Sequence, residues 1–305
     1  MMKKFVTTGL STLALLGCLS ISTTAIAGGN DISLVGLGRP AQSSLDDPAV
    51  ERFRRLSSEL AITLSPNLSE TGRTRGMSGF GFGLITSYTN INEAGKYWQG
   101  QPGTPVLAGP LEDKSVPSYF FTPTLYASKG LPFSSQIGAS LTLLSGSQMS
   151  VLNGNFKFAL HESYFRKLPT LSAQIAINRL LGATDIDLVS GSLDLIASYA
   201  FGISGMTRWD IFVGGGQQFA HVNSLVLDET PFSVDDATND QRGGTNGSLY
   251  TFPTLEWKDN VVLRVMGGLK VHVAMFEIVY GFRLSQIKWS GRSIPTHSLK
   301  FGFDL

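Results

Sequence analysis

His161-Glu162-Ser163 is the stretch with the most chemistry on offer. On a strand, residues two apart share a face, so His161 and Ser163 would stand side by side. A histidine so placed can take the serine proton and ready the oxygen for acyl transfer, given a carboxylate to orient the ring. No strand-borne Asp or Glu is placed to complete a triad. His221, His272 and His297 are scattered and lack the spacing of metal ligands. Gly214-Gly215-Gly216 has neither the Lys nor the following helix of a phosphate loop, so it reads as a bend or a close approach within a strand. The Asp- and Asn-rich stretch 228–246, with Asp235, Asp236, Asp240 and Arg242, has oxygen ligands for Ca²⁺. A solvated loop is the simpler reading, and no cofactor is expected.

A second set of polar residues alternates with apolar neighbours: Gln136, Asn153, Asn155, Lys157, Gln174, Asn178, Asp194, Arg264, Lys270, Glu277, Arg283 and Lys300. Strict alternation means strands with one face in an apolar medium and the other in a polar one. These twelve would line the inside of a closed barrel, in a hydrogen-bonded, ion-paired interior. Small barrels are filled by side chains, whereas roughly 16 to 18 strands leave a water channel. The interior therefore reads either as a self-satisfied polar core or as a narrow path for small solutes.

The elements that would carry this set have period two from Gly76 onward. Ten candidate strands follow: 77–91, 116–128, 133–145, 151–161, 170–181, 188–203, 207–222, 260–271, 274–287 and 294–305. A tilted strand needs about 9 to 11 residues to cross a bilayer, and single-chain bacterial barrels have even strand numbers. The segment 248–257 is also strand-like, and would be a hairpin half above the membrane or raise the count to twelve. Placing the last strand's end in the periplasm puts the long connections 92–115 and 223–259 outside the cell and the short turns inside, as such barrels arrange them. His161 then falls at the periplasmic end, away from outer-leaflet lipid. Trp209, Trp257 and Trp289 sit at strand ends, suited to an interfacial girdle. Pro117 and Pro123 fall in the second strand, and Pro123 requires a bulge there.

Composition agrees. Charged residues are 15% of the 305 residues, against about 25% in soluble proteins, which suits a surface in contact with lipid. The net charge of +1 gives no electrostatic case for nucleic acid. No apolar run after the N-terminus is long enough for a spanning helix, which leaves a closed barrel as the way to cross.

The N-terminus has the pattern of a secretory signal: Lys3 and Lys4, an apolar run 5–19, and Ala25-Ile26-Ala27 before Gly28-Gly29. Cleavage after Ala27 gives residues 1–27 as signal peptide. The alternative is a lipobox, Leu15-Leu16-Gly17-Cys18, with lipid on Cys18, the only cysteine. Residues 28–75 form a lead-in containing a short amphipathic helix, opened by Asp47-Pro48 and presenting Val50, Phe53, Leu56, Leu60 and Leu64 on one face. The favoured site for this helix is the periplasmic mouth of the barrel, and the alternative is a plug in the lumen.

The chain closes on Lys300-Phe301-Gly302-Phe303-Asp304-Leu305. This resembles the closing strand of bacterial outer-membrane β-barrels, with Leu where Phe is more usual. The resemblance implies that Lys300, Phe301, Gly302, Phe303 and Leu305 act as a signal to the barrel-assembly machinery. Lys129-Gly130-Leu131-Pro132-Phe133-Ser134 and the strands around it resemble a group of bacterial outer-membrane proteins, a likeness that covers much of the chain from Leu56 and implies no activity. His161 and Ser163 resemble the pair in lipid A deacylases. The fatty-acid transporter barrels have more strands and a hatch signature not found here. The expectation is an all-β, up-and-down antiparallel transmembrane barrel over 76–305, in the bacterial outer membrane and in contact with its lipid. Its expected role is a narrow, porin-like channel for small solutes. Second is a structural or surface-interaction barrel acting through its outer loops, and third a lipid hydrolase. An enzyme is not expected.

Overall fold

The computed structural model of the protein describes residues 31–41, 44–66, 70–100, 106–108, 116–162, 168–204, 207–228 and 249–305. The signal peptide, Cys18, Ser163, Asp235, Asp236, Asp240 and Arg242 lie outside these residues.

Ten antiparallel strands close on one another: β1 (Phe80–Asn90), β2 (Tyr119–Leu131), β3 (Ser135–Leu143), β4 (Ser150–His161), β5 (Thr170–Leu181), β6 (Ile186–Ser204), β7 (Thr207–Ser224), β8 (Val261–Val273), β9 (Phe276–Ile287) and β10 (Ser293–Asp304). The ring is sealed where β10 meets β1, from Thr296 opposite Thr89 to Asp304 opposite Gly81. Beyond that ladder, Phe80 and Leu305 exchange two main-chain hydrogen bonds of 2.8 Å. Closure leaves no strand edge unpaired, the condition for backbone in lipid. All ten expected strands are present. The largest shifts are a first strand that begins at Phe80 rather than Met77 and a second that runs Tyr119–Leu131.

Period two sorts the side chains. Phe82, Leu125, Ile137, Ile175, Leu195, Val265, Tyr280 and Phe301 are exposed on the outside, and all twelve polar residues named above are buried on the inside. On β10, Leu299, Phe301, Phe303 and Leu305 are exposed, while Lys300 is buried.

Two expectations about prolines are corrected. Pro117 precedes β2, and Pro123 stays in register opposite Thr86 without a bulge. The carbonyl of Phe121 accepts from Ser145, so residues 121 and 123 turn their main chain toward β3. The β2–β3 ladder extends only to Thr124 opposite Thr142, so the N–H that proline lacks falls past its end. The strand-like 248–257 segment stands above the barrel. Leu249–Tyr250 pairs with Leu227–Asp228, and Leu255 bridges to Val222. At Gly216, a Cβ would lie 2.2 Å from the carbonyl of Leu193, so close approach accounts for that glycine.

Before the barrel comes α1 (Pro48–Leu64), capped by the Asp47 side chain, which accepts from the Ala49 N–H at 2.8 Å. Its apolar face is buried as expected, but so are Ser57, Ser58, Glu59 and Thr63. The placement at the mouth by the short turns is overturned, because α1 packs at the opposite, long-loop end. Phe53 stacks on Phe252 at 4.7 Å, and Ile62 packs with Val262, Ile287 and Ile294 near the long-loop ends of β8, β9 and β10. From there the chain runs down the lumen. Along β10, Ile294 meets Ile62, Lys300 meets Glu70 and Asp304 meets Arg75. The misplacement has a simple source. Residues 65–79 carry no periodicity, yet fifteen residues reach up to about 50 Å, more than the roughly 30 Å of a bilayer core.

The thread leaves the lumen by passing over β2. Gly130 donates to the Gly79 carbonyl at 3.0 Å, and a Cβ on Gly130 would lie 1.7 Å from the Gly76 carbonyl oxygen. Backbone cannot yield as a flexible side chain would. Gly130→Ala is expected to cost about 1–3 kcal/mol, read as a lower urea midpoint for the folded barrel in detergent micelles. An unchanged midpoint would contradict this packing.

Candidate functional site

The lumen and its thread form the site, in three tiers. At the long-loop mouth, Glu59 is 1% exposed and is the point to which two of the connections are tied. Tyr97 Oη and Trp98 Nε1 donate to its carboxylate at 2.5 and 2.7 Å, and Arg292 pairs with it at 3.1 Å. Both aromatics belong to the short helix α2 (Lys96–Gln99) in the long β1–β2 loop, and Arg292 is in the β9–β10 connection. Burial, and then the Glu59 carboxylate, hold the Tyr97 phenol well above its ordinary value, so it remains a donor throughout the neutral range. Arg54 donates to the Asp259 carbonyl at 3.0 Å and lies 4.3 Å over the ring of Trp289. Trp289 thus serves the helix rather than a lipid girdle.

In the middle tier, wall side chains grip the thread by its main chain. Gln218 Nε2 donates to the Ala61 carbonyl at 2.8 Å, and Arg283 donates to Ile62 and Ser65, each at 3.1 Å. Arg264 pairs with Asp194. The free space between Pro66, Asn178, Asp194, Arg264 and Arg283 is about 20 Å³, room for about one water.

The lowest tier is ionic. Glu70, 7% exposed, takes hydrogen bonds from Gln136 at 3.0 Å, Lys157 at 3.1 Å and Lys300 at 3.0 Å. Arg75 pairs with Glu277 at 3.0 Å and Asp304 at 2.6 Å. Lys270 and Lys300 also reach Glu277, at 2.5 and 2.8 Å. Lys157 donates besides to the carbonyls of Thr71 and Arg73. Gly72 donates to Ser198 Oγ at 3.0 Å. Beneath this tier, on the short-turn side, a cavity of about 680 Å³ is lined by Glu70, Arg73, Arg75, Lys157, Arg208 and Lys270 among others.

Of the twelve expected residues, Gln136, Lys157, Lys270, Glu277 and Lys300 meet in the ionic tier. Asp194, Arg264 and Arg283 meet in the middle tier. Asn153, Asn178 and Ser190 form a separate chain of hydrogen bonds, with Asn155 beside it, and Gln174 lines the central space. Sequence reasoning missed Glu59, Glu70 and Arg75 as members, whereas the alternation along the last strand turns Asp304 to the lumen beside Lys300. One signal was present for Glu70. The expected set holds five cations, Lys157, Arg264, Lys270, Arg283 and Lys300, against Asp194 and Glu277. Buried charges of one sign require partners, so carboxylates had to arrive from elsewhere in the chain.

Glu162 holds the thread, accepting from the Thr74 N–H and hydroxyl at 2.8 and 2.9 Å. Among the described residues, no cluster of three or more His, Cys, Asp or Glu side chains could hold a metal.

A closed ladder with apolar side chains outward and charges inward defines a bacterial outer-membrane type β-barrel. No family model matches the chain, nor does any curated protein. Solved structures similar to it include Ail, the attachment invasion locus protein of Yersinia pestis, at 10% identity and TM-score 0.29, covering 75% of this chain and 99% of that one. The N-terminal β-barrel domain of Pseudomonas aeruginosa OprF gives 11%, 0.29, 75% and 99%. The transport unit of the Escherichia coli autotransporter AIDA-I gives 10%, 0.31, 82% and 99%. At such scores these likenesses carry no argument, and the class rests on the ladder and its two faces.

Removing Glu70 strands Lys157, whose other described partners are main-chain carbonyls. Glu70→Ala is expected to cost about 3–5 kcal/mol, and Glu70→Leu combined with Lys157→Met less than Glu70→Leu alone. Urea titration of the three variants checks this, and a double variant as unstable as Glu70→Leu alone, or more so, would contradict the pairing.

Proposed function

We propose that the protein is an outer-membrane barrel closed to solutes, acting at the cell surface through what stands on its long-loop end. On this reading it is secreted to the periplasm and assembled through its C-terminal strand, with the short turns left in the periplasm. The observation that carries it is the filled lumen. The free space around Pro66, between the middle and ionic tiers, is about 20 Å³, and α1 packs across the mouth above it through Glu59, Arg54 and Phe53. A hydrated ion path needs a continuous column of water, and one-water gaps do not supply it.

The narrow channel for small solutes is the second reading, favoured by the vestibule of about 680 Å³ at the short-turn end. It requires the thread to move, which means breaking the Glu70 and Arg75 pairs together. The lipid hydrolase has least support, since Glu162 is engaged by Thr74 rather than turned to a histidine.

Planar-bilayer recording separates the first two readings. The full chain is expected to give no resolvable current steps, and a variant lacking residues 28–75 to give discrete ones. Steady single-channel steps from the full-length, folded protein would sink the closed-barrel reading.

A further inference from the structure

Among the described residues on the N-terminal side of the lumen, Asp31, Ile32, Leu34 and Phe53 all make their contacts at the long-loop end. Asp31 Oδ1 accepts from Ser147 Oγ at 2.6 Å and from the Gln148 N–H at 2.9 Å, both in the β3–β4 connection. Asp31–Ile32 pairs with Leu107–Ala108 in the β1–β2 loop, and the Leu34 N–H donates to Asp185 at 2.9 Å in the β5–β6 link. Phe80, by contrast, starts β1 at the short-turn end, beside Leu305. Asp31 and Phe80 thus stand at opposite ends of the barrel, and Ile62, Glu70 and Arg75 meet Ile294, Lys300 and Asp304 in order along β10. The lumen is built to hold a peptide: Arg283, Lys157, Ser198 and Glu162 bond main-chain atoms of Ser65, Thr71, Gly72 and Thr74, beyond the end of the helix. Such contacts recognise extended polypeptide as a class, with Glu70 and Arg75 fixing its position.

We propose that this barrel is the conduit for its own N-terminal segment: the described residues from Asp31 to Leu64 have crossed the membrane through the lumen and stand at the cell surface. The proposal rests on the outer-membrane reading above, with long loops outside. Crossing from the periplasm requires the segment to enter unfolded. A formed helix is about 10–12 Å wide, and only about 20 Å³ is free beside the single non-helical chain at Pro66. Helix α1 therefore forms after passage, when Phe53 reaches Phe252 and Glu59 reaches Tyr97, Trp98 and Arg292. That partner set exists only at the far end, which gives the passage a direction.

Single-cysteine variants in a Cys18→Ser background test this on intact cells with a membrane-impermeant maleimide. Ser44 precedes α1 and is exposed, Val226 is exposed in the long β7–β8 connection, and Met275 is exposed in the short β8–β9 turn. Val226→Cys labelled and Met275→Cys labelled only after the outer membrane is permeabilised would fix the barrel's orientation. Within that result, labelling of Ser44→Cys to the level of Val226→Cys is the expected outcome, and protection of Ser44→Cys like Met275→Cys overturns the proposal while leaving the barrel reading in place. Labelling of Met275→Cys but not Val226→Cys on intact cells means an inverted barrel and overturns both. If Cys18→Ser blocks export, an epitope tag placed after Asn30 in the otherwise native chain, probed with antibody on intact cells, decides by the same comparison.

Discussion

Glu70 is a carboxylate in a place where a carboxylate should be costly. It lies inside a ring of β-strands, away from bulk water, and is supported by Lys157 and Lys300 from the wall and by Arg75 five residues along the thread. The rest of the interior depends on it. Taking a charge out of water costs several kcal/mol, which only close partners and full hydrogen bonding offset. The wall alone holds an excess of cations, and a barrel so lined would repel itself. The thread supplies the missing anion, and Arg75 then balances Glu277 and Asp304. Wall and thread are thus two halves of one charge arrangement.

This explains why the lumen is full. An open channel needs a wall whose polar groups are satisfied by water. Here Arg283 is served by the carbonyls of Ile62 and Ser65, Gln218 by Ala61, and Glu162 by Thr74. These wall groups have the thread's main chain where a pore would have solvent. The mouth repeats the pattern at Glu59, where one buried carboxylate gathers two aromatic donors and Arg292 from two connections.

Much of the barrel was legible in the sequence, because its two faces meet two different media. Leu171, Ala173, Ile175 and Ile177 against Ser172, Gln174 and Asn178 marked β5 to its ends, and the same alternation marked the other nine strands. The helix was legible from Asp47-Pro48 and its apolar spacing. Its destination was not. The described residues after the helix touch the wall through main-chain atoms of Ser65, Thr71, Gly72, Arg73 and Thr74 and through the side chains of Glu70 and Arg75, and such contacts leave no period. Pro123 misled for a related reason: its tolerance depends on which side of β2 its main chain faces, and that is set by ladder ends rather than by composition. Trp289 misled because an aromatic at a strand end suits lipid and helix packing alike.

The hydrogen bonds between Phe80 and Leu305 complete a ring whose hole is occupied by the chain's own upstream part. In topological terms the molecule is a lasso. Its tail is fixed to the ring at one end and bears a bulky helix at the other, so it cannot slide free while the ring stays shut. Withdrawal demands either melting α1 or parting β1 from β10. Both are slow, cooperative events, and persistence of the folded form is therefore a matter of rates as much as of equilibrium. A pull on the exposed end would be borne by the Gly76–Phe80 junction and by the seam itself, which makes the closing strand a mechanical element as well as a wall.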